Sequence, residues 1–384
     1  MTGVRASFTR RMTRNSTIVL FAILAAAMLL AAGCSEEDTK PTYPTQPENP
    51  VGTWFLGIWG SAADDIYVVG QPGLIFHWNG TDWTQQESGT TQSLTDVWGD
   101  DAGNVYITGH GGTILKKSGS GWSKMTSGTG ADLYSVGSYQ GTVMASGFKG
   151  ALRQLVGSAW QESPEMVYLR DQNDAVTDSF SRIEDDRIES LATVTEYGIA
   201  GADGVILMDD QEFDWLQRRV TGGENWVTCS SSAERVSGNF IATDGGRLFQ
   251  LSLQDGDRYA WDERFSPALG SMIYGIYTDV ADTVWAVTND GKINRIDPDN
   301  SFHALYEDGL SLFDIWGTSG TNLYAVGIDA RILHFHEIAP GEYGWELEFD
   351  LDEFNDLDEF NKSLGTLDTR HATEVFDKFG RRVP

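Results

Sequence analysis

An all-β, seven-bladed β-propeller is the fold predicted for this 384-residue chain, and three observations predict it. A small-residue turn leading into a strand whose second residue is Ile or Leu recurs seven times. The turns lie at 70–73, 109–112, 147–150, 201–204, 243–246, 288–291 and 327–330, spaced 39, 38, 54, 42, 45 and 39 residues apart. The aliphatic positions are Ile75, Ile114, Leu152, Ile206, Leu248, Ile293 and Ile332. Repeats of this length, each with several short strands, build one propeller blade apiece. The order of elements inside each repeat is constant, and no repeat carries a sustained helical period. Six or eight blades would need one of the weaker middle repeats to be merged or split.

The elements follow in chain order. Arg5, Arg10, Arg11 and Arg14 precede an apolar run from Ile18 to Ala32. That run is shorter than the ~20 residues of a permanent membrane helix, so residues 1–33 read as a signal peptide. Its end, Leu30-Ala31-Ala32-Gly33-Cys34, resembles the bacterial lipoprotein box, although Ala31 stands where that family most often has Leu. The resemblance implies that Cys34 becomes the N-terminus and carries lipid. It also implies a place in the cell envelope, with Ser35 matching lipoproteins sorted to the outer membrane of Gram-negative bacteria, on its periplasmic side or at the surface. Residues 34–50, with four prolines and few apolar side chains, form a disordered tether.

The propeller is expected over 51–351. Its first strands read Leu56-Gly57-Ile58-Trp59-Gly60, Leu94-Thr95-Asp96-Val97-Trp98-Gly99 and Leu312-Phe313-Asp314-Ile315-Trp316-Gly317. Second strands such as Ile66-Tyr67-Val68-Val69 follow, then the recurring turn, a third strand, and an outer strand marked by Trp83, Trp122, Trp160 or Trp345. β-Branched and aromatic residues suit pleated surfaces, and Gly suits hairpins that need positive φ. The last repeat has its own outer strand, so closure needs no strand exchange. The 54-residue spacing marks an insertion at about 164–187. Beyond the last blade, 352–384 form an acidic tail. In it Leu351, Phe354, Leu357, Phe360 and Leu364 have the spacing of a short amphipathic helix that packs on the propeller.

Composition narrows the chemistry. Formal net charge is −29. Removing 1–33 takes four of the 27 basic residues and none of the 56 acidic ones, leaving −33. Such a chain does not bind nucleic acid, whose recognition rests on phosphate neutralisation. With Cys34 lipidated, Cys229 has no disulfide partner, and nothing near it activates a thiol; it reads as a small core residue. His334 and His336 share a strand face, but His334 aligns with His77 and Lys116, which marks a repeat position and not a metal site. The stretch 297–301 has Phe302 where a calcium loop needs Gly. Asp203, Asp290 and Asp329 occupy the third turn position, where Asp before Gly or Ala is a hairpin residue. No cofactor, metal or catalytic constellation is assigned.

The face expected to bind is the end that gathers the second-to-third-strand turns and the blade-to-blade connections, because loops on a rigid scaffold carry specificity. It comprises Gln71, His110, Phe148 and Lys149, with Arg170, Asp171 and Asp174 of the insertion beside them. The pattern Ile-Trp-Gly, Tyr-x-Val-Gly, Gly-x-Ile-x-His-Trp-Asn-Gly-x-x-Trp resembles secreted bacterial propeller lipoproteins. These are similar to Asp-box propellers, including photosystem II assembly factors. The match is clear over the first, second and seventh repeats and faint elsewhere. The resemblance implies the fold; the function expected of the chain is a non-catalytic, membrane-anchored module that holds an envelope protein partner. The alternative is a carbohydrate-binding or glycan-cleaving propeller of the sialidase or lyase kind. Against cleavage, His77-Trp78-Asn79-Gly80-Thr81-Asp82-Trp83 puts Trp78 where the Asp box needs Asp, and no Arg cluster recurs between blades.

Overall fold

The computed structural model describes 53–163, 240–243, 245–250, 262–264, 270–351 and 354–355, together with the backbone of the strands between 166 and 230 and of 251–254, 258–261 and 265. The leader, Cys34, the tether and most of the tail lie outside the described residues. What is described is all-β apart from a short 3-10 turn at His110–Gly112 and helical backbone at 351 and 354–355.

The strands form six four-stranded antiparallel sheets and one six-stranded sheet. The first sheet runs Trp54–Ala62, Asp65–Gln71, Leu74–Trp78, Trp83–Gln85, each strand beside the next. The second begins at Leu94–Gly99, the third at Leu133–Tyr139, the fifth at Trp226–Ser230, the sixth at Ile273–Thr278 and the seventh at Leu312–Ser319. The first strand of each sheet touches that of the next, and the seventh touches the first. This is a β-propeller. Every sheet is contiguous in sequence, so the ring closes without strand exchange.

The fourth sheet corrects the expectation of a seven-bladed propeller. Leu191–Thr195, Gly198–Gly201, Val205–Asp210 and Phe213–Arg219 form the repeat's four strands, and a hairpin of Met166–Arg170 with Val176–Ser181 adds two more. Met166–Arg170 lies parallel to Phe213–Arg219, with Tyr168 opposite Leu216. An outer strand offers unpaired backbone donors and acceptors, and the insertion's hairpin covers that edge. There are therefore six four-stranded blades and one enlarged sheet.

Packing explains the repeated motif. Ile75, Ile114, Leu152, Leu248, Ile293 and Ile332 are all buried, as are Trp83 and Trp160 on outer strands. Apolar clusters fill the spaces between sheets. The one that closes the ring joins Tyr324, Val326, Ile332 and Phe349 of the seventh sheet to Phe55, Val68 and Phe76 of the first. In the first and second sheets the glycine of the Trp-Gly pair makes room for the preceding sheet's indole. A Cβ at Gly99 would lie 2.3 Å from the Trp59 ring, and one at Gly60 would lie 2.6 Å from the Trp316 ring. These two indoles lie in the notch of the next blade.

Candidate binding face

The turn end of the ring is defined by hydrogen bonds that recur between elements. The N–H of His110 donates to Ser93 O, that of Phe148 to Asp132 O, that of Asn289 to Met272 O and that of Ile328 to Ser311 O. Each bond ties a second-strand turn to the connection entering the same sheet, so turns and connections share one end. Adjacent sheets are joined there as well: Ser93 Oγ donates to Gln71 Oε1 at 3.1 Å, and Gly111 N–H to Asp132 Oδ1 at 2.8 Å. Gly73 and Gly112 have positive φ, and a Cβ on either would lie about 2 Å from the carbonyl oxygen of Thr90 or Thr129. Those carbonyls also accept from Ser88 and Ser127, the same Ser-Gly-Thr connection used twice.

Charges at this end are mostly neutralised locally. Arg331, 5% exposed, holds Asp308 and donates to Leu310 O at 2.6 Å. Burial pushes the Asp308 carboxyl up, but Arg331, the Leu310 N–H and Tyr306 together hold it below the usual range. At Asp290, burial likewise opposes ionisation, yet bonds from Lys292, Thr288 and Ser271 bring its pKa down to about 2.

The axis at this same end differs. All seven inner strands carry an extra residue near their start, where the pairing register shifts: Leu56, Thr95, Tyr134, Ala192, Val227, Tyr274 and Phe313. A bulge turns two successive side chains toward one side, here the axis. Among the described residues the first tier is Leu56, Thr95, Tyr134, Tyr274 and Phe313, all partly exposed. Tyr274 and Phe313 meet at 5.4 Å between ring centroids, and Trp54 meets Phe313 at 5.8 Å. The second tier is Gly57, Asp96, Ser135, Gly275 and Asp314.

Asp96 and Asp314 are the residues that sequence reasoning missed. Asp314 Oδ2 accepts the N–H of Ile58 at 3.0 Å across the closure, and Asp96 Oδ2 accepts that of Val136 at 2.9 Å. Their other oxygens accept the N–H of Ile315 and Val97, each at 2.8 Å. Burial raises Asp96 to about 6 against these bonds. Burial raises Asp314 further, to about 8, with the charge of Asp96 adding to it. Gly57 stands between them and supplies no side chain. Both side chains line the narrow axis, which leaves them partly exposed and yet surrounded by protein. A charged residue at the same place in the two best repeats was the available signal.

Of the residues expected on the face, Gln71, His110, Phe148 and Lys149 sit together at turn tips of the first three sheets. Phe148 is exposed, with Lys149 Nζ 5.7 Å from its ring centroid. The insertion's hairpin pairs with the last strand of the fourth sheet; because Met166–Arg170 runs parallel to Phe213–Arg219, it ends toward the turn end, at the sheet's outer edge. Arg170 ends a strand there, while Asp171 and Asp174 lie outside the described residues. His334 Nε2 is 2.7 Å from Asn322 Oδ1, and its ring stacks on Tyr324 at 4.0 Å. His336 faces Glu346 at 3.4 Å, and among the described residues no three ligating side chains gather for a metal. Asp297 takes bonds from Arg295 and Ser301 within its hairpin. Cys229 lies in an inner strand, Trp226–Ser230.

No protein-family profile and no curated protein sequence matches the chain. Solved structures do. YCF48 from Cyanidioschyzon merolae is similar at a TM-score of 0.53 and 16% identity, covering 74% of this chain and 95% of its own. YCF48 bound to D1 peptide is similar at 0.51 and 11%, covering 74% and 93%. Virginiamycin B lyase from Staphylococcus aureus is similar at 0.53 and 12%, covering 73% and 95%. These likenesses establish the propeller fold.

Proposed function

We propose that this chain is a non-catalytic binding module, anchored in the cell envelope through lipid on Cys34, whose turn end holds a protein partner. The observation that carries it is the concentration of partly exposed aromatics (Tyr134, Tyr274 and Phe313) around the axial mouth, with Phe148 on a turn tip nearby. Aromatic side chains on a rigid frame give large contact area at low entropic cost. The peptide held by YCF48 in one similar structure adds an example of a propeller used this way.

The competing reading is a glycan-cleaving or glycan-binding propeller, for which the lyase is the similar structure. A substrate funnel of that kind needs arginines free to meet carboxylates. Among the arginines whose side chains are described, Arg153, Arg247, Arg295 and Arg331 each face an acidic neighbour, and Arg264 is engaged by Gln250, Asn300 and Pro298. The binding reading is therefore preferred.

Affinity capture of the tagged full chain from its own solubilised membranes tests the proposal. A near-stoichiometric protein partner, lost on combined Phe148→Ser and Lys149→Glu, is the expected outcome. Retention of glycan and no protein would reverse the preference. In the same cells Cys34→Ser releases the chain from the membrane fraction; if it remains there, the anchor is assigned wrongly.

A further inference from the structure

The axial mouth combines an apolar rim with an acidic floor. Tyr274, Phe313 and Trp54 form a continuous aromatic crescent over the sixth, seventh and first sheets, and Leu56 and Tyr134 extend it. One residue deeper along the same strands stand Asp96 and Asp314, separated by Gly57. Among the described residues no Lys, Arg or His lies within ion-pair distance of either carboxyl, whereas Asp65, Asp290, Asp297 and Asp308 all have cationic neighbours. The floor therefore differs from those four aspartates, whose charge is balanced where it stands.

Charge and shape select the occupant. An acidic segment would meet a chain of net charge −29 and, among the described residues, two carboxyls with no cation at ion-pair distance: Asp96, largely ionised at neutral pH, and Asp314, pushed up to about 8, which a nearby cation would help to ionise. A basic side chain has an aliphatic stem that packs on aromatic rims and a cationic head that reaches past them. We propose that the mouth docks an Arg or Lys side chain presented by an extended basic segment of the protein partner. The inference rests on the binding reading above and adds the partner's chemistry to it. Phe313 and Tyr274 embrace the stem, and Asp96 and Asp314 receive the head.

The test selects peptides from a random displayed library on the full chain at physiological salt, beside two variants, Asp96→Asn/Asp314→Asn and Phe313→Ser. Thermal melting confirms that each variant is folded, and Phe313→Ser leaves the carboxyls intact should the double variant not fold. Peptides recovered on the native chain should be enriched at least about threefold in Arg and Lys, and either variant should lower recovery roughly tenfold, as loss of a central anchor does. Peptides without basic enrichment would overturn the proposal. So would basic peptides indifferent to the variants, which would report only the general pull of an acidic surface. If neutral peptides bind and are lost on Phe148→Ser with Lys149→Glu, the binding face stands and this inference falls. If no peptide and no captured protein is retained, both fall.

Discussion

A carboxylate that accepts two backbone N–H bonds ordinarily titrates low, and Asp96 and Asp314 go the other way. Burial outweighs the bonds at both, and the charge of Asp96 adds to the rise at Asp314. Carboxyl-carbon NMR should place both midpoints above the usual range, near 6 and near 8. Asp96→Asn should lower the Asp314 midpoint, because it removes one of its two causes; an unmoved midpoint would mean that burial alone sets it. The sign for stability follows. A folded-state pKa raised above the unfolded value makes a contribution that is whole below the unfolded value, about 4, and fades as pH rises through the folded one. The pair thus favours the fold more at pH 5 than at pH 9, opposite to Asp290 and Asp308, whose lowered values favour it at neutral pH. Both aspartates could be read in the sequence as repeated polar positions in apolar strands. Their partners across the sheet boundary could not, since the N–H of Ile58 and that of Val136 belong to the following sheet and no local pattern names them.

Strands and turns were the most legible scale. The recurring turn, the buried Ile or Leu after it and the outer-strand Trp all follow from alternation and Gly placement, and they fall where those rules put them. The insertion was legible as an interruption in spacing and illegible as a hairpin, because pairing to a sheet edge depends on what lies in space beside it. Two substitutions test the element-scale reading. Gly99→Ala drives a methyl into the Trp59 ring and should cost roughly 2–3 kcal/mol in thermal or denaturant unfolding, as overpacking does. Gly121→Ala, where a Cβ meets nothing within 4 Å, should be near neutral. Asp308→Ala leaves Arg331 buried beside Leu310 without its carboxylate. It should cost about 2 kcal/mol, less than for a fully buried pair because Asp308 keeps some solvent.

At the scale of the whole molecule, closure depends on the chain's two ends of the ring meeting as a true core. Phe354, just past the last strand, packs on Phe76 of the first sheet and Phe349 of the seventh, each at 5.5 Å between centroids. Leu351 is buried beside them. The expected amphipathic tail therefore begins by covering the seam, while its continuation lies outside the described residues. Phe354→Ser should lower stability by about 1–2 kcal/mol through loss of aromatic burial. Hydrogen exchange would show faster exchange at Ile58 and Tyr324, flanking the seam, than at Ala145, remote from it. Uniform change across all three would mean the tail has no particular hold on closure.

The indole that lies over the next sheet's glycine gives the ring a direction. Trp316 reaches to Gly60 and Trp59 to Gly99, and Asp314 and Asp96 reach across in the same rotational sense. The first sheet thus presents a peg, Trp59, on one flank and a socket, Gly60, on the other, the relation that subunits of a cyclic oligomer bear to one another. A ring cut at the loop before Leu94 has a bare peg, Trp59, at one terminus and a bare socket, Gly99, at the other. Two such arcs expressed as separate chains carry matched ends and should find each other without any linker, whereas a single arc would polymerise head to tail.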